Sequence, residues 1–140
     1  ARDYPLNNHA GGCMSAGAAT PALGGGAMAA VEVMAAAPSL PRELRARTTR
    51  YRDRLHALGF DTLASETPVV PLVCATADQA VAMARLCQLD GLFVQPIVYP
   101  AVPRNLPRLR TIVNLSHTDA DLDAAVVTLE KAGRACGLIR

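Results

Sequence analysis

Two arginines flank Leu109 in the stretch "FVQPIVYPAVPRNLPRLRTIVNLSHT", residues 93–118. Arg110 thus falls inside an apolar strand pattern, where a charge without a partner is expensive. The other side chains able to do chemistry are sparse. Cys13, Cys74, Cys87 and Cys136 form no CxxC and have no histidine at metal-ligand spacing, so no metal site is expected. Cys74 ends an apolar strand pattern and Cys87 lies in a helical one. Both read as buried, reduced thiols, which points to a reducing compartment and hence the cytoplasm. His9 and His56 have no partner visible in the sequence. His117, beside Thr118, reads as a turn or capping residue, with an active-site contact as the rival reading. Lys131 is the only lysine among 14 basic residues.

The elements that must position these groups follow from composition and period. Hydrophobic residues make up 51% of the 140 and charged residues 19%, a globular balance with enough chain for one core. Aromatics are only 4%, so the core must be aliphatic and rich in alanine. The net charge of +2 is too small to imply nucleic acid. No signal peptide is visible and no apolar run reaches the length of a membrane span. The chain starts at Ala1 rather than Met, as a processed chain or a piece of a longer protein would.

Residues 1–20 lack periodicity and read as a loop. "PALGGGAMAAVEVM", from Pro21, reads as a helix with proline in its first turn. Its three glycines weaken it by roughly 1 kcal/mol each, so it makes sense only with something packed closely against it. Ser39 is a candidate cap for the next helix, with Pro41 in the first turn. Leu44, Thr48, Tyr51, Leu55 and Leu58 form one stripe of that helix, and Gly59 ends it. Arg42, Arg45, Arg50, Arg52 and Arg54 form the opposite face, read as solvated or facing a subunit. The region up to residue 58 is helical and is expected to lean on something else.

"TPVVPLVC", residues 67–74, reads as a strand whose prolines place it at an edge or bulge. Thr76 and Gln79 make a capping-box pattern for a helix from about Ala77 to Leu89, stopped near Gly91. Strands are expected at 92–99 and 108–116, joined by a proline-rich loop and therefore antiparallel. Thr118 and Asp121 cap a last helix carrying Leu122, Val126, Leu129, Gly133 and Cys136 at helical spacing, closed by Gly137. The expected fold is a small α+β layer with two helices over one face of an antiparallel sheet. The expected division is 1–36, a loop and a Gly/Ala-rich helix, and 37–140, the α+β domain.

At this point the words themselves resemble a family. "GLFVQPIVYPAVPRNLPRLRTIVNLSHTDADLDAAVVTLEKAG" resembles the C-terminal part of the α-oxoamine synthases, which read G-(I/V)-x-V-x-P, then P-x-V-P-x-G-x-x-R-(I/L)-R, then S-x-x-H-T-x-x-D-(I/L). "MSAGAATPA" resembles their F-S-(T/A)-x-L-P-P loop, and "GAMAAVEVM", "RYRDRLHALGF" and "ETPVVPLV" fit the segments between. These are pyridoxal-phosphate enzymes of aminotransferase class II and fold type I. The resemblance implies that residues 37–140 are their C-terminal small domain, and that residues 1–36 belong to the interface with the large domain and between subunits of a homodimer.

The resemblance also implies roles. The second arginine of R-(I/L)-R, Arg110 here, binds the carboxylate of the amino-acid substrate, a planar two-donor fork on a rigid strand. An ion pair with an acidic side chain is the rival reading. Arg108 is expected on the opposite face of the strand, as a surface charge. A Ser or Thr in the F-S-T loop reaches the cofactor phosphate of the partner subunit, which makes Ser15 the candidate and Thr20 the second. The loop departs from the family pattern: Met14 replaces the aromatic, about one residue is extra, and Thr20 replaces the first proline. Asn105 stands for the family's glycine, tolerable because asparagine visits left-handed backbone. Tyr99 and Pro100 are candidates for the mouth of an acyl pocket, with core or loop packing as the equal rival.

The family holds pyridoxal 5'-phosphate on a lysine in the large domain, and the resemblance implies that this lysine lies outside the present chain. No catalytic residue is expected within it, and the chain alone should be inactive. Lys131, on a solvent-facing turn of the last helix, is no substitute. The implied reaction condenses an amino acid with an acyl thioester, on coenzyme A or a carrier protein, releasing CO2 and an α-amino ketone. The chain would be the C-terminal portion of such an enzyme, half of a split one, or part of a lysine-lacking subunit. The rival class is a non-catalytic α+β module that binds a ligand or a partner chain.

Overall fold

The computed structural model describes residues 20–140. The chain divides into two compact units, 1–38 and 39–140. In the first, helix α1 spans Pro21–Ala36. Thr20 caps it, its hydroxyl oxygen accepting the Leu23 N–H at 3.4 Å, and Pro21 opens the first turn as expected. No residue of α1 is buried, and the space beside Gly24, Gly25 and Gly26 is open.

The second unit holds α2 (Ser39–Ala57), β1 (Val69–Val73), α3 (Ala77–Leu89), β2 (Gln95–Ile97), β3 (Arg108–Ile112) and α4 (Asp119–Ala135). The sheet runs β1-β3-β2, antiparallel throughout. Helix α3 covers the residues its capping pattern predicts: the Thr76 hydroxyl accepts the Gln79 N–H at 3.1 Å, and the Gln79 side chain accepts the Ala75 N–H at 2.8 Å. Helix α4 begins in a full capping box between Thr118 and Asp121. Gly59, Gly91 and Gly137 follow α2, α3 and α4 at φ of 95°, 84° and 66°, the left-handed stop that glycine permits.

Four sequence expectations need correction. Ser39 is the first residue of α2 rather than the residue before it. Helix α2 packs on its own unit: Tyr51 and Leu55 join that core, and Arg50 and Arg54 pair with Asp119 and Asp123 of α4. Three helices therefore back the sheet, not two. The second strand is three residues long rather than eight, because it is an edge strand and Pro96 brings no N–H to the ladder. The third stops at Ile112 rather than 116. Its partner β1 ends at Val69, opposite Ile112, and beyond that the Asn114 side chain takes the N–H groups of Ser116 and His117 at 2.9 and 3.1 Å. This turn delivers the chain to the α4 cap.

The core lies on the helix side of the sheet. Val70 and Leu72 of β1, Leu109 of β3, Met83 and Cys87 of α3 and Leu129 of α4 are buried there. Gly133 of α4 lets the Phe60 ring approach, since a Cβ at this position would sit 2.7 Å from its Cζ. Strand β3 alternates: Leu109 and Thr111 are buried, while Arg110 and Ile112 are exposed.

Candidate functional site

The face of the sheet away from the helices is uncovered among the described residues and floors an open cleft of about 760 Å³. Arg110 projects from its central strand. Its Nη2 donates to Oε1 of Gln95, the residue directly across the ladder on β2. On the other side Arg110 faces Pro71 of β1. Among the described residues Arg110 forms no ion pair.

Arg108 is not on the opposite face. Residues two apart in a strand point the same way, and Arg108 and Arg110 line the same cleft. Arg108 is half-buried, with its Nε donating to the Leu106 carbonyl at 3.2 Å. The cleft wall beside it is apolar, made by Ile97, Ala101 and Val102.

The opposite wall is made by Leu63, Ala64, Ser65 and Thr67. Leu63 has φ of 54°, a conformation that side chains other than glycine rarely hold, and its N–H is bound by Asp61 Oδ1 at 2.8 Å. Arg52 of α2 donates to the Ser65 carbonyl at 2.7 Å, and the Ser65 hydroxyl donates to the Val69 carbonyl at 2.6 Å. This wall is therefore pinned to both α2 and β1. Sequence reasoning missed Arg108, Gln95, Leu63 and Ser65. The two-residue period was a sufficient signal for Arg108. Gln95 depends on strand register, and Leu63 on a backbone conformation that its residue type argues against.

The other candidates are placed as follows. Ser15, like His9 and Cys13, lies outside the described residues. Thr20 is exposed at the α1 N-terminus. Its hydroxyl oxygen serves as the cap of α1. Tyr99 lies under the Arg104 guanidinium, 4.0 Å from the ring centre. Ala101 and Val102, rather than Tyr99 and Pro100, line the cleft. Asn105 does not use left-handed backbone, because Leu63 is the one residue other than glycine with positive φ among the described residues.

His117 is a turn residue. Its Nδ1 accepts the Asn114 N–H at 3.4 Å, and its carbonyl accepts from Arg47. His56 does have a partner, the Thr62 hydroxyl at 2.6 Å. Lys131 is exposed and paired with Asp90 at 2.7 Å. Burial pushes the Cys74 and Cys87 thiols up to about 11, and raises that of the half-buried Cys136 as well. Among the described residues no group of three or more His, Cys, Asp and Glu side chains could hold a metal ion, and no single helix is long and apolar enough to cross a membrane.

No family model matches the chain. It is 38% identical over 119 residues to 8-amino-7-oxononanoate synthase from Thermoanaerobacter pseudethanolicus, covering 85% of this chain and 30% of that protein. It is 37% identical over 120 residues to 8-amino-7-oxononanoate synthase/2-amino-3-ketobutyrate coenzyme A ligase from Thermus thermophilus, with 86% and 30% covered. Among solved structures, serine palmitoyltransferase from Sphingomonas wittichii matches with a TM-score of 0.65 at 26% identity, over 69% of this chain and 25% of that one. The chain thus spans about 30% of the length of the curated relatives it matches. These likenesses carry the α+β fold and most of the sequence together, and the chain belongs to the pyridoxal-phosphate-dependent α-oxoamine synthases, as their C-terminal part.

Proposed function

We propose that this chain is the substrate-binding C-terminal portion of a pyridoxal-phosphate-dependent acyltransferase, which condenses an amino acid with an acyl thioester and releases CO2 and an α-amino ketone. The observation that carries the reading is Arg110. It is an exposed guanidinium on the rigid central strand of an uncovered sheet face, fixed by a neutral side chain and with its charge unmatched among the described residues. A carboxylate accepts two parallel N–H bonds from such a fork. Binding there fixes the carboxylate and with it the direction of the bond between the α-carbon and its hydrogen. Bound pyridoxal phosphate supplies an electron sink for the carbanion that forms at that carbon. Thr20 and Ser15 are the residues of this chain proposed to hold its phosphate, across a homodimer interface. The lysine that anchors the cofactor belongs to a large domain outside this sequence, since Lys131 is engaged with Asp90 at the surface. The buried, unpaired Cys74 and Cys87 support a cytoplasmic setting.

The test is Arg110→Ala in the protein assembled with its lysine-bearing large domain. The expected result is a rise in KM for the amino acid of tenfold or more, as befits a lost charge-assisted pair worth about 1.5–3 kcal/mol. An unchanged KM removes the assignment. Borohydride reduction followed by peptide mapping should place the pyridoxyl-lysine on a peptide outside this sequence. A complete absence of label would favour a non-catalytic subunit.

A further inference from the structure

We infer that Arg108 is a second anion-binding residue of the cleft: it holds an oxyanion of the acyl thioester while Arg110 holds the amino-acid carboxylate. The inference rests on the proposed function and names a further residue of the same site. Its basis is the placement of the two charges. Arg108 and Arg110 point from one strand into one cleft, about 7 Å apart by strand geometry. None of the residues lining the cleft is acidic, and neither arginine forms an ion pair among the described residues. Two like charges at that separation, one of them half-buried, repel each other, and a bound anion relieves the repulsion. A single small amino acid presents one carboxylate, and Arg110 takes it.

The surroundings of Arg108 say which ligand brings the second anion. The Leu106 carbonyl engages its Nε, which leaves the two terminal nitrogens to a ligand. Ile97, Ala101 and Val102 stand beside it and suit an aliphatic chain. An apolar wall that ends at a guanidinium fits an acyl donor carrying an oxyanion. That oxyanion is either a carboxylate at the far end of the acyl chain or a phosphate on the thiol handle. Both present the same chemistry to the fork.

The experiment uses the assembled enzyme and four donors: pentanoyl and glutaryl thioesters, which differ by one terminal carboxylate, each on coenzyme A and on N-acetylcysteamine, which carries no phosphate. KM is measured for each, or the inhibition constant for a donor that is not turned over. Arg108→Gln is expected to raise the donor constant about tenfold or more and to leave the amino-acid KM within twofold. A penalty confined to glutaryl donors, on either handle, assigns the carboxylate. A penalty on both coenzyme A donors that vanishes on N-acetylcysteamine assigns the phosphate. Arg108→Met, which keeps the packing of the stem, must give the same pattern and replaces Arg108→Gln if that variant does not fold. Donor constants within twofold of the parent for all four, or an equal rise in the amino-acid KM, overturn the inference. If Arg110→Ala still raises the amino-acid KM in that case, the proposed function stands without Arg108. If it does not, the proposed function falls as well.

Discussion

Arg110 and Gln95 face each other across the β2–β3 ladder, and the amide oxygen of Gln95 accepts from the Arg110 guanidinium. The pairing orients the fork without neutralising it. On the proposed function, Gln95→Glu should convert a positioning contact into a competitor for the substrate carboxylate. The amino-acid KM of the assembled enzyme should rise about tenfold, close to 1.4 kcal/mol. Gln95→Leu should show a smaller rise, because it frees the guanidinium but leaves its charge unopposed.

Gly133 is small because Phe60 occupies the space where its side chain would be. Gly133→Ala puts a methyl 2.7 Å from the Phe60 Cζ and 2.9 Å from its Cε1. The gain in helix propensity, about 1 kcal/mol, only reaches the lower end of the cost of overpacking, about 1–3 kcal/mol. The melting temperature should fall by several degrees, and Phe60→Leu in the same chain should recover part of the loss.

Helix α4 starts at a reciprocal cap, and Thr118→Ala should cost about 1 kcal/mol in urea denaturation at neutral pH. The hydroxyl and N–H of Thr118 hold the Asp121 carboxyl below its ordinary value of 3.8. A lowered folded-state pKa means that the carboxylate's contribution is present above 3.8 and is lost as pH falls through the lower value. The stability of the parent should show this loss at acid pH, and that of Asp121→Asn should not.

The alkaline limb has the opposite origin. Burial raises Cys74 and Cys87 from 9.0 to about 11, and Tyr51 from 10.0 to about 12. The unfolded chain loses these protons first, so stability is intact below pH 9 and declines between about pH 9 and 12. Tyr51→Phe should flatten the upper part of that decline. In the native protein at pH 8, iodoacetamide should label Cys136, which is half-buried, well before Cys74 and Cys87.

Local signals in the sequence were enough for the helices. Thr76 with Gln79, and Thr118 with Asp121, mark helix starts because a cap is made within four residues. Gly59, Gly91 and Gly137 mark the stops for the same reason. Arg110 was singled out through its motif, and its exposure on the central strand agrees with the strand period. The strands were less legible, because a strand ends where its partner ends: residues 113–116 are as apolar as β3 itself, yet the pairing stops after the Val113 N–H meets the Pro68 carbonyl at 2.9 Å. The cleft wall was not legible at all. It depends on Arg52 reaching the Ser65 carbonyl across 13 residues and on Leu63 holding a conformation foreign to its type. Arg108 was misplaced although the strand period alone sets its side.

The alternation along β3 separates two kinds of change. Leu109 and Thr111 lie in the packed interior, and alteration there disturbs the fold. Arg108, Arg110 and Ile112 lie on the side left uncovered among the described residues, Arg110 and Ile112 exposed and Arg108 half-buried. A library randomised at these three positions should therefore keep most of its members folded while it varies what they bind. On the proposed function, such a strand can be respecified for new acids without rebuilding the scaffold beneath it.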